Sequence, residues 1–578
     1  MIKTLIRQTK KLRAVIGPYK KTTIMILLLM IIGAVFEALS IGMIIPMITT
    51  IIKVDPIYSS ESKFSEIIIS VLDYFRNGNS RIVICTLIFL TIIVVKNVLM
   101  YLKTVLAYYL QSSIRKHWSV KILERYIYSE YNFIISQKRG TLINNLLNET
   151  MLASKFIGKL IGFVSKMFIV TAIYIVMTLV SYKLTLLLTI VIGLMMMVYM
   201  IVSEKRSKRM GKKRLSLMQT ITADGEQSLN AIRQVKLFAL EKRVLNEFSK
   251  HFNHLRKLIV NIQAIRAIPG PIGEITIIAI FTGFVIYIDK FTEITISNLI
   301  PLITFVLYSA QKLYMNISSL FAERVWLISY LPSINLVSNI LMGDEIKHEN
   351  LNIGKSISRL NGDIIFNNVS FSYHKNKKIL DGINLTIQKN KITGITGKSG
   401  SGKSTIVDLL CGLAKNYDGE IIFGDINLND INIKSLRSII GLVSQDTFLF
   451  NKTVFENISI GNKLLKYNDV IQTSKDVRVH KFISNFENGY NSIVGDRGLK
   501  ISGGQKQMVT LIRAFAKKPN LLILDEGTSS LDKFNEKNIL DYLKDLKNSG
   551  TTIVIITHIN EILKTADKVY RIDNGKIG

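Results

Sequence analysis

Six apolar runs, each long enough to cross a bilayer, constrain the fold of this 578-residue chain more than any other feature. They lie near 22–52, 82–111, 158–181, 183–203, 271–289 and 296–331. The hydrocarbon core of a bilayer is about 30 Å thick, so a spanning helix needs about 20 apolar residues. Because lipid offers no hydrogen-bond partners, such a run must satisfy its backbone internally, as a helix does. The sequence therefore predicts an α-helical six-span transmembrane domain.

The charges beside these runs predict how they are oriented. Seven basic and no acidic residues occur in Met1–Lys21, and a second basic cluster, Ser203–Arg214, directly follows the fourth run. The segment between the first two runs, Lys53–Arg81, carries four basic and four acidic residues. Basic flanks mark the cytoplasmic side, so both termini are predicted to be cytoplasmic. The net charge of +32 thus reflects membrane topology, and no nucleic-acid partner is expected.

Two polar segments, 112–157 and 204–260, have helical spacing and are much longer than ordinary connections. They are predicted to be helices that continue from the second and fourth spans into the cytoplasm. The third and fourth spans are separated only by Ser181–Lys183, which predicts a tight hairpin on the outer side.

After about residue 335 the sequence changes from long apolar runs to short strand-like segments that alternate with helices. The stretch 364–387, "IIFNNVSFSYHKNKKILDGINLTI", alternates like a pair of strands. Such alternation of strands and helices is typical of an α/β domain. We predict a transmembrane domain over 1–335, a linker over 336–360 and an α/β domain over 361–578.

The segment Gly397–Thr405, "GKSGSGKST", fits the P-loop pattern G-x-x-x-x-G-K-[ST] between a predicted strand and helix. Its glycines let backbone N–H groups surround phosphate oxygens at the positive end of a helix. Lys403 is predicted to contact the β- and γ-phosphates, and the hydroxyl of Ser404 to bind Mg²⁺. The nucleotide-binding residues expected in this loop are Gly397, Ser399, Gly400, Gly402, Lys403, Ser404 and Thr405.

The apolar strand Leu521–Asp525 has the Walker B form, in which the terminal carboxylate holds the metal. Asp525 is therefore predicted to bind Mg²⁺, and Glu526, the next residue, to polarise the attacking water. A phosphate cradle, a metal and a positioned water are the parts that in-line phosphoryl transfer requires. The sequence therefore predicts an enzyme that hydrolyses a nucleotide.

The motif "ISGGQKQ", Ile501–Gln507, indicates which kind of P-loop protein this is. It resembles the LSGGQ signature of ATP-binding cassette (ABC) proteins, with Ile501 in place of the usual leucine. The resemblance covers essentially all of 360–578 and implies ATP and Mg²⁺ as ligands. It implies that Tyr373 stacks on adenine, that Gln445 reaches Mg²⁺ and that His558 contacts the γ-phosphate. Further residues that it assigns to the nucleotide site are Ser502, Gly503, Gly504, Gln505 and Asp532.

ABC proteins close each catalytic site by placing the signature of one cassette over the nucleotide held by another. A chain with a single cassette then needs a second chain. Because Glu526, His558 and the signature are all intact, the resemblance favours a homodimer with two active sites. A heterodimer with a degenerate partner stays the alternative. The stretches 132–148 and 225–243 occupy the positions of coupling helices, which would carry cassette motion to the spans.

A glutamate, Glu37, lies inside the first apolar run, where a charge costs about 2.5–3.5 kcal/mol on insertion scales. Gly33, Glu37 and Ser40 share one helix face, so the carboxylate can meet other spans or a wet cavity. Two interpretations stay open: the charge fixes helix packing, or it lines a translocation cavity. The residues expected in such a cavity are Glu37, Lys96, Lys103, Glu274 and Lys312.

Six spans ahead of one cassette resemble the half-transporter exporters of bacteria. The resemblance implies ATP-driven export by alternating access across the cytoplasmic membrane, with membrane lipids and an amphipathic substrate as partners. The first-span glutamate, followed by an apolar stretch and Pro46, resembles flippases of lipid-linked oligosaccharides. There basic residues receive a pyrophosphate, and Lys96 and Lys103 are candidates here, although arginine is usual. A lipid-linked oligosaccharide or related lipid is the favoured substrate, and the alternatives are a peptide, a drug-like amphiphile, a lipid A or a phospholipid.

Overall fold

The computed structural model describes residues 17–52, 80–291, 296–344, 346–373, 378–462, 464–528 and 531–578. The chain forms two compact units. The first comprises Met1–Tyr128 and Gln137–Ile346, and the second combines Ser129–Ser136 with Lys347–Gly578. Most of the N-terminal basic cluster and of the segment Lys53–Arg81 lies outside the described residues, so the orientation in the membrane stays a prediction.

The first unit is built from helices, as predicted. Six helical segments in its described part are long and apolar enough to cross a membrane. A π-helical turn, Asn145–Glu149, joins the fifth helix of the chain to the sixth. The helices of this half of the chain are α1 (Lys20–Gly42), α2 (Ile44–Ile52), α3 (Ser80–Ile127), α4 (Tyr131–Ser136), α5 (Arg139–Asn144), α6 (Thr150–Val180), α7 (Tyr182–Asn230), α8 (Ile232–Leu237), α9 (Glu241–Ala267), α10 (Pro269–Phe291) and α11 (Ile296–Met342).

Two breaks in the membrane helices have local causes. The first apolar run is interrupted at Met43 because Pro46 has no N–H for the carbonyl of Gly42 and its ring clashes with that carbonyl. The fifth run is preceded by a break at Ile268. Pro269 occupies the first position of α10, where a backbone N–H would have no carbonyl partner within the helix.

Several helices extend well past the apolar runs, as predicted for the cytoplasmic segments. α3 continues to Ile127 and α7 to Asn230. α11 runs to Met342 and so passes through the predicted domain boundary at residue 335. Its last turns still bury apolar side chains such as Val337. The helix therefore continues as an amphipathic segment after the apolar run has ended.

The second unit contains an antiparallel sheet and a mostly parallel sheet. Its strands are β1 (Ile364–Phe371), β2 (Leu380–Ile387), β3 (Ile392–Gly397), β4 (Asp418–Phe423), β5 (Ile426–Asn427), β6 (Ile440–Val443), β7 (Leu521–Asp525), β8 (Thr552–Ile556), β9 (Lys568–Asp573) and β10 (Lys576–Ile577). The antiparallel sheet has the order β2-β1-β4-β5, and the larger sheet has the order β10-β9-β3-β8-β7-β6. In the larger sheet β3 and β7 each pair in parallel with β8.

Eight helices surround these sheets in the described residues, and they belong to two hydrophobic cores. They are α12 (Lys403–Leu410), α13 (Ile433–Ile439), α14 (Val454–Ser459), α15 (Tyr467–Asp476), α16 (His480–Ser484), α17 (Gly503–Ala516), α18 (Lys533–Asn548) and α19 (Asn560–Leu563). The first core joins α12 to the antiparallel sheet through residues such as Ile406 and Phe366. The second core joins α14 to α17 through residues such as Val454 and Met508. The helix that follows the P-loop, α12, and the helix that begins in the signature, α17, are therefore anchored in different cores.

The short helix α4 is part of the second unit. The N–H of Glu130 donates to the carbonyl oxygen of Lys347 at 3.1 Å, and Ser129 forms an isolated β-bridge with His348. The stretch 132–148, which is expected to hold a coupling helix, thus begins within α4. The residues just before α4 pair with Lys347 and His348, which precede the α/β domain.

Candidate nucleotide-binding site

The P-loop connects β3 to α12 and closes around its own lysine. The ammonium group of Lys403 donates hydrogen bonds to two loop carbonyl oxygens, 2.7 and 2.9 Å away. Gly400 and Gly402 have φ angles of 79° and 106°, a left-handed conformation that favours glycine. A Cβ on Gly402 would lie 2.6 Å from the Cδ2 of Leu380. Glycine is therefore required for this loop to keep its backbone path.

The side chains of the loop fit a bound triphosphate. Burial lowers the pKa of Lys403. The Oγ of Ser401 is buried and, among the described residues, has no hydrogen-bond partner. Anionic oxygens would satisfy both groups, because a charged partner stabilises the ammonium and accepts from the hydroxyl. Thr405 is buried in the first turn of α12, and Ser399 is exposed at the tip of the loop.

The two residues expected to bind Mg²⁺ beside the P-loop are brought together. β7 ends at Asp525, which is buried, and the nearby hydroxyl of Ser404 acts to lower the pKa of its carboxyl group. Burial raises the pKa of Asp525 above the usual value of an aspartate. A divalent cation there would favour the ionised carboxylate, and both side chains offer oxygen, the ligand that Mg²⁺ prefers. The pair therefore fits the ion.

Three residues expected to act in hydrolysis, Glu526, Gln445 and His558, meet in space at the C-terminal end of β7. The Oε2 of Glu526 accepts a hydrogen bond from the Nε2 of Gln445 at 2.9 Å. The Oε1 of Glu526 lies 3.4 Å from the Nε2 of His558. Glu526 is half-buried, whereas Gln445 and His558 are exposed. Because its amide nitrogen faces Glu526, Gln445 can offer its amide oxygen to a metal.

Tyr373 is tied to the P-loop helix by its hydroxyl group. The hydroxyl donates to the Oδ2 of Asp408 in α12 at 2.7 Å. The ring meets Phe371 edge to face, with centroids 4.8 Å apart. Burial and the carboxylate of Asp408 raise the pKa of Tyr373, which keeps the hydroxyl a donor. Asp408 could not be predicted from the sequence, because this residue belongs to no motif and meets Tyr373 only in the folded domain.

The signature and the residue expected in the D-loop both sit at helix N-termini. Ser502 accepts from the N–H of Gln505 at 3.2 Å, and the Oε1 of Gln505 accepts from the N–H of Ser502 at 2.7 Å. Among the described residues no atom lies within 4 Å of a Cβ built on Gly503, so the start of α17 is open. Asp532 caps α18 by accepting from the N–H of Asn535 at 2.8 Å, which lowers the pKa of Asp532. The neighbouring residues 529–530 lie outside the described part.

The membrane unit pairs the glutamate of the first span with a lysine of the second. The Nζ of Lys96 lies 3.1 Å from the Oε2 of Glu37. The Oγ of Ser40 donates to the carbonyl oxygen of Glu37 at 2.7 Å. Glu274 is exposed and takes part in none of the ion pairs found among the described residues. A place for Glu274 in the cavity therefore stays a prediction.

The other expected cavity lysines, Lys103 and Lys312, make their direct contacts with neutral groups. Lys103 donates to the Oγ of Ser165 at 3.0 Å. The Nζ of Lys312 lies 5.5 Å from the centre of the Tyr308 ring, within the range of a cation–π contact. These lysines therefore do not share the carboxylate of the first span at contact distance.

A lysine of the third span, Lys166, lies near Lys103 and Lys312 and was not among the residues predicted from the sequence. Lys166 donates to the Oδ1 of Asn316 at 2.9 Å and interacts electrostatically with Glu37, Glu323 and Lys312. A second lysine of this helix, Lys159, instead pairs with Glu323 at 3.1 Å. Both lysines lie within the apolar run of the third span. A charge within an apolar run is the same signal that predicts Lys96 and Lys103 in the second span.

A phosphate-binding loop beside a converging Glu, Gln and His, in a chain whose described residues form six helices long and apolar enough to cross a membrane, is the arrangement of an ATP hydrolase coupled to transport. The family described as "ABC transporter transmembrane region" matches residues 23–312, and the family described as "ABC transporter" matches residues 380–529. The chain belongs to the ABC transporter family. The predicted family, fold class and coupling of ATP hydrolysis to transport are confirmed.

Two curated relatives and one solved structure show what the chain is similar to. It is 30% identical over 451 residues to the ATP-dependent lipid A-core flippase of Photorhabdus laumondii subsp. laumondii, covering 77% of this chain and 76% of that protein. It is 30% identical over 405 residues to ABC transporter B family member 1 of Dictyostelium discoideum, covering 69% of this chain and 43% of that protein. The structure of a bacterial Atm1-family ABC exporter with ATP bound aligns with a TM-score of 0.76 at 20% identity, covering 97% of this chain and 94% of that one. The exporter fold is therefore shared.

Proposed function

We propose that two copies of this chain flip or export an anionic amphipathic lipid across the bacterial cytoplasmic membrane. A lipid-linked oligosaccharide or a related lipid is the substrate class that we favour. Alternating access, driven by ATP, would move the head group through the bilayer. The relatives named lipid A-core flippases support a lipid substrate in general.

A set of lysines inside the membrane unit carries the proposal. Lys103 and Lys166 hydrogen bond to the neutral side chains of Ser165 and Asn316. Among the described residues, neither lysine has a carboxylate within 4 Å. A cation within a bilayer is costly and marks a pathway or a ligand. A phosphate or pyrophosphate head group would place an anionic acceptor at hydrogen-bond distance from these lysines.

The nucleotide site supports a division of roles in hydrolysis. Lys403 would hold the β- and γ-phosphates, and Glu526 would accept the proton of the attacking water. His558 would contact the γ-phosphate, and Tyr373 the adenine. When bound, Mg²⁺ would neutralise charge on the phosphates. Its ligands from this chain would be Ser404, Gln445 and Asp525.

We propose a homodimer because ABC proteins place the signature of one cassette over the nucleotide held by another, and this chain has one P-loop and one signature. The open N-terminus of α17, Ser502–Gln505, would contact the nucleotide of the other copy. Each copy has an intact Glu526 and His558, so both sites would hydrolyse ATP. The α8 helix lies in the second stretch expected to couple cassette and spans, 225–243.

The proposed function is tested by ATPase activity in lipid nanodiscs. A polyprenyl-pyrophosphate oligosaccharide and, separately, amphipathic peptides are titrated in, with Glu526→Gln as the blank. We expect saturable stimulation by the glycolipid alone. Stimulation by peptides alone would contradict the lipid assignment and favour a peptide exporter.

A further inference from the structure

Glu526 has a backbone conformation that is uncommon for a residue with a side chain. Its φ of 51° lies in the left-handed region, which residues other than glycine seldom occupy. Such a conformation persists only where the surrounding structure fixes it. The bonds that fix the backbone of Glu526 therefore also determine where its carboxylate points.

Among the described residues, hydrogen bonds from the sheet and from α17 hold the main chain of Glu526. Its N–H donates to the carbonyl oxygen of Ile556 at 3.0 Å, which extends the pairing of β7 with β8. Its carbonyl oxygen accepts from the Nε2 of Gln507 at 3.0 Å. Gln507 is 4% exposed and lies in the second turn of α17. The first bond belongs to the sheet, whereas the second comes from one side chain of the signature helix.

We propose that Gln507 is a positioning residue for ATP hydrolysis, acting by fixing the backbone of Glu526. With its carbonyl held, Glu526 directs its carboxylate toward Gln445 at 2.9 Å and His558 at 3.4 Å. Without the amide donor, the residue can relax from the left-handed region, and the carboxylate loses its direction. The inference rests on the proposed role of Glu526 as the base.

The bond also gives α17 a second task. Its first turn would contact the nucleotide of the other copy, and its second turn holds the base of its own chain. A shift of the signature would therefore reach Glu526 through one rigid helix turn. This places Gln507 between the two active sites of the proposed homodimer.

The test compares three variants of the full chain in nanodiscs by kcat and KM for MgATP. Gln507→Leu removes the donor at similar volume, and Gln507→Met removes it in an unbranched side chain of similar length. Thr510, 3% exposed on the same helix, donates to the carbonyl oxygen of Lys506 at 2.9 Å. Thr510→Val therefore removes a buried polar group of α17 that does not reach Glu526, and it is the matched control.

We expect kcat to fall about 10- to 100-fold in both Gln507 variants, because a small misplacement of a reacting group has effects of this size. KM should stay within about twofold, since the nucleotide contacts remain. Thr510→Val should keep both parameters. Should Gln507→Leu not fold, Gln507→Met decides, because it also lacks a donor.

A folded Gln507 variant with a kcat near that of the wild type would overturn the inference. An equal loss in Thr510→Val would overturn it as well, since the effect would then come from core packing. Glu526→Gln separates this inference from the proposed function. If Glu526→Gln still hydrolyses ATP, the base assignment fails; if it is inactive while Gln507→Leu is normal, only the positioning role fails.

Discussion

The carboxylate of Glu37 lies 3.1 Å from the ammonium of Lys96, and their side chains are 10% and 14% exposed. The pair joins α1 to α3 and explains how the first span carries a charge. Because Lys96 is engaged, it is a poor candidate for the head group of a substrate. We instead assign contact with the head group of the substrate to Lys103, Lys166 and Lys312.

Breaking the Glu37–Lys96 pair should destabilise the membrane unit. Glu37→Gln and Lys96→Gln each leave one charge without its partner, while the double variant leaves neither. Polar pairs in membrane domains couple by about 0.6 kcal/mol and up to about 1.7 kcal/mol. We expect both single variants to lower the thermal unfolding midpoint and the double variant to recover part of the loss.

The control for this cycle is Glu274→Gln, which changes an exposed carboxylate of the same unit. It should leave the midpoint unchanged. Strictly additive losses in the double variant would show that the pair does not couple. Basal ATPase should survive in every variant that assembles, since no nucleotide residue is touched.

Removing a cavity lysine should weaken the response to an anionic lipid. Lys103→Gln and Lys166→Gln each remove a charged donor, worth about 1.5–3 kcal/mol when it meets a charged group. We expect the glycolipid concentration for half-maximal ATPase stimulation to rise about tenfold or more. The measurement is the nanodisc titration, with maximal stimulation and basal rate recorded separately.

Lys159→Gln is the matched control for charge and helix, because Lys159 lies on α6 with Lys166 but pairs with Glu323. It should shift the half-maximal concentration much less. An equal shift in all three variants would point to net charge alone and refute a defined head-group site.

Substituting Tyr373 should separate its ring from its hydroxyl. Tyr373→Phe keeps the ring but removes the donor to Asp408, a change worth about 0.5–1.5 kcal/mol for an ordinary hydrogen bond. Tyr373→Leu also removes the stacking surface, worth about 1–3 kcal/mol per base. Equilibrium binding of ATP in the Glu526→Gln background should therefore weaken modestly in the first case and about tenfold or more in the second. Equal affinities for both variants would exclude adenine stacking.

Glu526→Gln should abolish turnover while ATP binding survives. A positioned base contributes about 10²–10⁴-fold, and the amide cannot accept the proton of water. Steady-state phosphate release measures the loss, and nucleotide binding shows that the site is intact. Glu420→Gln, an exposed carboxylate of β4, is the control. Robust hydrolysis by Glu526→Gln would assign the base to another residue.

Sequence spacing predicts the candidate nucleotide site because its motifs are local. Lys403 and Ser404 follow their loop within a few residues, and Asp525 and Glu526 are neighbours. The contacts of Asp408 with Tyr373 and of Gln507 with Glu526 could not be predicted, because each pair meets only after folding, across 35 and 19 positions. No single-strand or single-helix pattern carries such a contact.

The membrane charges show the same division. The apolar run and its small, polar face predicted that Glu37 would turn inward, and Glu37 is buried. The choice among lysines depends on the rotation and height of α3 against α1. The run itself does not contain that information. Lys96 and Lys103 share one side of their helix, yet one meets Glu37 and the other Ser165.

The central claim, that ATP hydrolysis moves an anionic glycolipid, is tested most directly by translocation in proteoliposomes. A polyprenyl-pyrophosphate oligosaccharide is incorporated, and the fraction protected from an added glycosidase is followed after MgATP is supplied. We expect an ATP-dependent change in protection with the wild type and none with Glu526→Gln. Equal protection in both proteins, while the wild type hydrolyses ATP and responds to peptides, would contradict it.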